Sequence, residues 1–432
     1  MRLSPTIWSV CAAVAAAGLL GACVPGGPRA VFTLQSILIP FPLPLPFTNL
    51  ARAADLAPDS APDSAPVLPD APWQPGNTLA TTLPTPAGLR TLTGTLRADA
   101  LDGSLLLELA DQRLEIVPST PGRECRVLVA PPAASSPRDV GRQILTELPP
   151  GFDLVVTKHY VICFDTSRAY AQWCGALFEK LHEAFANFWT QADFVLTEPP
   201  HPLIVVIFSD RQRYEAFASR DLGAAADRVV GYYNLLTNRV TTFDLTGSSL
   251  LPGHSTTSPG RAGLEILGSP EAAGLVATLV HEATHQMAYN GGMHQRLAPV
   301  PLWISEGIAT YFETPAPGSG RGWQGIGQVN KPRLKKFLAT YQPGALTAII
   351  EGDEPFRAAA GALDAYAKAW ALTAFLIQTR KPALVAYLRT LSAKPPLSDD
   401  TPAQRRAEFV AAFGVEPAEL EEPLLKFLAR WK

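Results

Sequence analysis

Residues 279–286 read Leu279-Val280-His281-Glu282-Ala283-Thr284-His285-Gln286, and a second stretch, 301–312, reads Pro301-Leu302-Trp303-Ile304-Ser305-Glu306-Gly307-Ile308-Ala309-Thr310-Tyr311-Phe312. Ahead of the first histidine, Leu275, Val276, Leu279 and Val280 recur at helical spacing. Ser269-Pro270-Glu271 offers a capping hydroxyl, a first-turn proline and an acid at the positive end of the dipole, and Asn290-Gly291-Gly292 offers a stop. The spacing predicts one long buried helix. On it His281 and His285 stand one turn apart on the same face, with Glu282 rotated roughly a quarter-turn away. A single buried histidine is usually a satisfied core residue. Two of them at this spacing in an apolar helix, with an acid between, are costly to bury unless something coordinates them. The pattern therefore points to a metal site.

Zinc in a hydrolase takes three protein ligands and keeps a fourth position open. Two downstream residues can supply the third. His294 is one, but a metzincin carries its third histidine six residues after the second, and Gly291 occupies that place here, with Ala288 where the turn glycine belongs. Glu306 is the other, on a second predicted amphipathic helix entered through Pro301. A carboxylate set among Trp303, Ile304, Ile308 and Tyr311 needs a cation partner, which a glutamate on a solvated helix face does not. The expected ligands are thus His281, His285 and Glu306 around one zinc ion per chain, with Glu282 as general base.

The segments HEATHQ and WISEGIATYFE together resemble the gluzincin group of zinc metallopeptidases, and within it a bacterial family of secreted or lipoprotein members whose substrates are largely unassigned. The likeness spans roughly residues 150–430. It implies a zincin-like fold, His281, His285 and Glu306 at the zinc-ligand positions and Glu282 at the catalytic-base position. Thermolysin-like members place an aspartate four residues after the ligand glutamate to orient a histidine. Thr310 stands there in this chain, so the surrounding shell departs from the pattern, with Glu313 one turn on as a substitute. Many gluzincins also supply an oxyanion donor from a later helix, and Tyr366, in Asp364-Ala365-Tyr366-Ala367-Lys368-Ala369-Trp370, resembles the transition-state tyrosine of the aminopeptidase branch. The other reading of Tyr366 is a ring packed in the core.

The chemistry expected of these parts is peptide hydrolysis: zinc polarises the scissile carbonyl and activates water, and Glu282 moves the proton. In such folds an extended peptide adds to the outer strand of the sheet above the metal helix. The predicted hairpin at 229–245, with Gly231-Tyr232-Tyr233 near its start, is the candidate strand, or else an ordinary covering hairpin. No anchor for a free α-amine is recognisable, which leans toward an endopeptidase.

Around this core the chain of 432 residues is nearly half hydrophobic, long enough for more than one folded unit. A formal charge of −3 lacks the basic stripe that nucleic acid requires. Arg2 and the apolar run Ile7–Leu20 form a signal-like segment too short to span comfortably, ending in Leu20-Gly21-Ala22-Cys23, which resembles a bacterial lipobox. Residues 1–23 are therefore expected to be a lipoprotein signal peptide, with Cys23 lipidated and the chain exported and held to an envelope membrane. Cys125, Cys163 and Cys174 then remain, either with Cys163 and Cys174 bridged or as three free thiols.

Residues 24–87, with Pro40-Phe41-Pro42-Leu43-Pro44-Leu45-Pro46 and a repeated Ala-Pro-Asp-Ser, read as a Pro-rich linker. Residues 88–150 read as a small β-region: Leu92, Gly94 and Leu96 alternate with polar neighbours, and Leu105–Leu109 and Leu114–Val117 follow as strands. It could be a removable prosegment or a docking module.

Residues 151–432 read as the catalytic domain, with a strand over Leu154–Phe164, a helix capped at 165–167 and running to about Thr190, a strand over Leu203–Phe208 and a helix after Ser209-Asp210, then helices to the end. The late stripes Leu372, Phe375 and Leu376, Leu384, Tyr387 and Leu388, Phe409 and Phe413, and Leu424, Leu425 and Leu428 read as core. The fold class is α+β, a mixed sheet and metal helix followed by a helical subdomain. A lipid-anchored zinc peptidase is the leading function. The alternatives are a scaffolding lipoprotein with a non-catalytic zinc site and a zinc amidase acting on a non-peptide or cell-wall substrate.

Overall fold

The computed structural model describes residues 73–85, 88–100, 102–128, 135–247, 272–314, 326–358 and 361–431. The signal-like segment with Cys23, most of the linker, the Gly/Ser/Pro-rich stretch beyond residue 247 and Ser269-Pro270-Glu271 lie outside the described residues.

The described strands all precede residue 244, and the described chain beyond residue 272 is helical. The first sheet holds β1 (Thr78–Thr85), β2 (Gly88–Asp99), β3 (Leu105–Leu109), β4 (Leu114–Val117) and β5 (Glu124–Val127), antiparallel in the order β4-β3-β2-β1-β5. Side chains alternate between its faces. Leu79, Leu96, Leu105, Leu107 and Val117 build a small core on one face, while Leu106 and Leu114 face the other way and join the main core.

β1 lies inside the stretch that reads as linker, and β5 has no counterpart in the sequence reading. Leu79, Thr81 and Leu83 alternate with half-buried neighbours and carry the strand signal, and Pro84 masks it. Pro84 falls outside Leu79–Thr82, the part of β1 flanked on both sides, so its missing N–H interrupts no doubly paired ladder.

The second sheet is mixed, in the order β6-β7-β8-β10-β9: β6 (Asp153–Val156), β7 (Tyr160–Phe164), β8 (Leu203–Phe208), β9 (Gly231–Asn234) and β10 (Arg239–Phe243). β7, β8 and β10 run parallel, and β6 and β9 close the edges antiparallel. All six residues of β8 are buried, as a central strand covered on both faces requires.

The span 154–164, expected as one strand, is a hairpin. Glu179 breaks the run by accepting from the Thr157 hydroxyl (2.6 Å) and the His159 amide (2.7 Å), which fixes the turn between β6 and β7. α1 (Pro137–Leu145) falls within the expected β-region and packs on β6 and β7. α2 (Arg168–Thr190), capped by Ser167, links β7 to β8, and α3 (Arg211–Leu222), capped by Asp210, follows β8. Cys125, Cys163 and Cys174 are free thiols, the last two buried.

The helical half contains α4 (Ala273–Asn290), α5 (Leu302–Phe312), α6 (Lys331–Thr340), α7 (Ala345–Glu351), α8 (Glu354–Arg357), α9 (Ala362–Thr379), α10 (Lys381–Ser392), α11 (Pro402–Phe413) and α12 (Glu421–Leu428). α4 packs against β9, β10, α2 and α5, and ends where Gly292 takes a φ of +78°. α5 and α9 approach closely at Gly307, where a Cβ would stand 2.9 Å from the Ala369 carbonyl oxygen and collide with Thr373. Asp353 Oδ1 accepts from the Leu302 amide (3.0 Å) at the open start of α5 and is held by a bidentate pair with Arg405 (2.8 and 3.1 Å). Among the described residues no helix is long and apolar enough to cross a membrane.

Candidate metal centre

The helical spacing of α4 puts His281 and His285 on one face, and α5 crosses that face with Glu306 pointing in. Nε2 of His281 and Nε2 of His285 are 3.0 Å apart, and Glu306 Oε2 lies 3.1 Å from the first and 3.4 Å from the second. All three side chains are buried. A tetrahedral zinc site with bonds of about 2.0–2.1 Å requires its nitrogen and oxygen ligands to lie about 3.3 Å apart. The observed triangle fits three vertices of such a tetrahedron. Among the described residues these three form the group able to hold a metal ion.

Two buried oxygens beside the triangle have no hydrogen-bond partner, Glu306 Oε1 and Glu282 Oε1. Buried carboxylate oxygens are seldom left unsatisfied without cause. A cation with an associated water accounts for both, so the residues present fit a metal.

The remaining ring nitrogens fix how the imidazoles point. His281 Nδ1 is 2.8 Å from Glu313 Oε2, and His285 Nδ1 is 3.4 Å from Ser305 Oγ. Glu313 is itself braced: Arg333 Nε donates to its Oε1 at 2.7 Å and Asn330 Nδ2 at 3.1 Å. The carboxylate against His281 Nδ1 is therefore that of Glu313, while the Thr310 hydroxyl donates back to the Glu306 carbonyl (2.7 Å) and stays within its own helix.

Charge follows this geometry. Burial alone would lower the pKa of His281, but the carboxylates of Glu306 and Glu313 outweigh it and lift the imidazole to about 9. Burial likewise opposes ionisation of Glu306, and the two imidazoles overcome it and hold the carboxyl at about 2. His285 is lowered by burial. Burial raises Glu282 to about 8, with the adjacent His281 opposing that shift.

Glu282 is held from the sheet side. Its Oε2 accepts from the backbone N–H of Tyr233 at 2.8 Å, on the edge strand β9. The hairpin expected near the site is thus in direct contact with the expected base. Tyr366, on α9, is buried with the Arg333 guanidinium 5.7 Å above its ring and Phe356 edge-on at 5.6 Å. A chain of contacts therefore runs from Tyr366 through Arg333 and Glu313 to His281. His294 is buried beside the Tyr289 ring (5.2 Å) and is not part of the converging group.

Arg333, Asn330 and Ser305 escaped sequence reasoning, and Tyr233 was placed on the candidate strand without its bond to Glu282. Ser305 alone carried a signal, since it lies one position before Glu306. The others come from distant segments with no spacing to mark them.

Fold and site together define an α+β chain in which two histidines and a glutamate, on successive helices, are placed to hold a metal ion. Residues 275–398 match a family model described as "Protein of unknown function (DUF1570)", a span that begins in α4 and includes all three residues. No curated protein matches the chain.

Proposed function

We propose that the chain is a zinc-dependent peptidase of the gluzincin kind, exported and anchored to an envelope membrane through a lipidated Cys23. The observation that carries the hydrolase reading is the 3.0–3.4 Å triangle of His281, His285 and Glu306 with the unpartnered Glu282 oxygen beside it. A purely structural zinc site takes four protein ligands and has no use for a buried acid next to it.

His281, His285 and Glu306 would hold the ion, which when bound supplies Lewis acidity toward a carbonyl and makes water more acidic. Glu282 is fixed through Oε2 by the Tyr233 amide, which leaves Oε1 to take a proton from water and hand it to the departing amine. β9 is an edge strand, so an extended peptide has a backbone to pair with next to Glu282. Tyr366 is the proposed donor to the developing oxyanion. Burial of the site keeps bulk water away from the charges involved.

The test is hydrolysis of a peptide library by the purified full-length chain, with and without chelator. Glu282→Gln should lower turnover by roughly a hundred-fold or more while zinc content stays unchanged. Chelator-insensitive cleavage, or full activity of Glu282→Gln, would overturn the reading. For the anchor, Cys23→Ala should move the chain from the membrane to the soluble fraction, and a variant that stays membrane-bound would contradict it.

A further inference from the structure

The turn between β3 and β4 reaches out of the first sheet into the second. Gln112, at a φ of +69° and buried, accepts through Oε1 from Asn238 Nδ2 (2.8 Å) and donates through Nε2 to the Pro202 carbonyl (2.8 Å). Asn238 sits in the β9–β10 turn, itself at a φ of +59° and fully buried. Its other side-chain hydrogen bonds run toward the site. Its amide pairs reciprocally with that of Asn290 at the end of the metal helix (2.7 and 2.8 Å), and its Oδ1 accepts from the Tyr233 hydroxyl (2.7 Å). Its backbone carbonyl accepts from Gln286 Nε2 on the same helix (2.9 Å).

An asparagine amide offers two donors and two lone pairs, and here all four are used. Gln112 supplies the one partner that comes from outside the catalytic half. Asn238 joins both features that set the position of Glu282: the α4 helix that bears it, and Tyr233, whose N–H holds its carboxylate.

We infer that Gln112 is a positioning residue for the catalytic site, and that the N-terminal sheet is a fixed part of the active unit instead of a removable prosegment. Orphaning the buried Asn238 N–H frees the turn to seek another partner, and the Tyr233–Glu282 bond shifts with it. Further ties seat the same turn: Arg296 Nη1 donates to the Gln112 carbonyl (2.9 Å), Arg296 Nη2 to Glu108 Oε1 (2.7 Å), and the Leu114 amide to the Leu236 carbonyl (2.8 Å). The catalytic consequence rests on the peptidase reading, whereas the structural consequence does not.

The test is residue-resolved amide hydrogen exchange on the full-length chain, paired with turnover. Gln112→Met keeps length and removes the acceptor. It should speed exchange of the Tyr233 amide by about tenfold or more while the β8 amides Val205 and Val206 are unchanged, and should lower kcat with zinc content and KM little altered. Gln112→Glu keeps the acceptor for Asn238 while losing, as Gln112→Met does, the donor to the Pro202 carbonyl, and should retain protection at Tyr233. It also reads the proposal if Gln112→Met does not accumulate folded. Glu108→Gln loosens the Arg296 tie without touching Asn238 and should leave Tyr233 protected. An unchanged Tyr233 amide in Gln112→Met, equal acceleration in β8, or equal loss in Gln112→Glu or Glu108→Gln would overturn it. If the peptidase reading itself fails, Glu282→Gln reveals that separately, and the exchange result stands alone.

Discussion

Glu313 Oε2 stands 2.8 Å from Nδ1 of His281, so a carboxylate seven residues beyond Glu306 orients the first histidine of the metal triangle. α5 ends at Phe312, and Glu313 is its capping residue, where the chain leaves the helix and can turn the side chain back to the imidazole. Arg333 on the next helix and Asn330, which caps that helix, hold it there. Such partners fix the ring nitrogen that faces the ion and raise its basicity. Glu313→Gln should weaken zinc binding by about tenfold to a hundred-fold, measured by competition with a metallochromic chelator. Affinity equal to that of the parent chain would remove Glu313 from the site.

Tyr366 separates two roles. If its hydroxyl stabilises the oxyanion, Tyr366→Phe should cost about a hundred-fold in kcat with zinc affinity retained. If its part is to carry Arg333 on its ring face, the phenylalanine keeps that contact and turnover stays within a few-fold. Steady-state kinetics on a cleaved peptide decide between them, and an unchanged kcat contradicts the proposed donor.

The Asp353–Arg405 pair anchors the start of the helix that carries Glu306. Both side chains are nearly inaccessible, and Asp353 also accepts from the Leu302 amide. Arg405→Met should destabilise the chain by up to about 3–5 kcal/mol, because it removes the close bidentate cation and leaves the buried carboxylate only the longer contact with Arg357 at 3.4 Å. Urea unfolding reads this directly. A loss below about 1 kcal/mol would show that the pair is dispensable.

Glu179 gives a pH signature away from the metal. Burial would push its pKa up, but the Thr157 hydroxyl, the His159 amide and the His159 imidazole outweigh that and hold it below its ordinary value. A carboxyl with a depressed folded-state pKa adds stability above its unfolded value near 4.5, and that stability is lost as pH falls through the folded value. In chelated protein, Tm measured from about pH 5.5 down to 3 should therefore fall less steeply for Glu179→Gln than for the parent. Parallel curves would contradict this assignment.

Much of the site was legible because its signals are local. His281, Glu282 and His285 share one helix, so the 3.6-residue period alone orients them, and the apolar setting of Glu306 marks a carboxylate that cannot be solvated. Strand β8, helices α2 and α3 and the hairpin around Asn238 were likewise marked by caps, a short apolar run and turn residues. What escaped depends on distant segments. The turn at Thr157 is set by Glu179 from the middle of α2, β1 is disguised by a proline, and β5 is short and largely exposed, with no apolar alternation to betray it. Gln112 and Asn238 lie 126 positions apart, and nothing in either local sequence announces the bond between them.

The convergence of His281, His285 and Glu306 on one ion is tested most directly by anomalous diffraction at the zinc edge from crystals of the zinc-loaded chain, beside those of Glu306→Ala. The account predicts a single peak about 2 Å from His281 Nε2, His285 Nε2 and a Glu306 oxygen. In Glu306→Ala that peak should be lost or sharply reduced at equal zinc concentration. No peak between the two helices, or one equally strong without the Glu306 carboxylate, would contradict it.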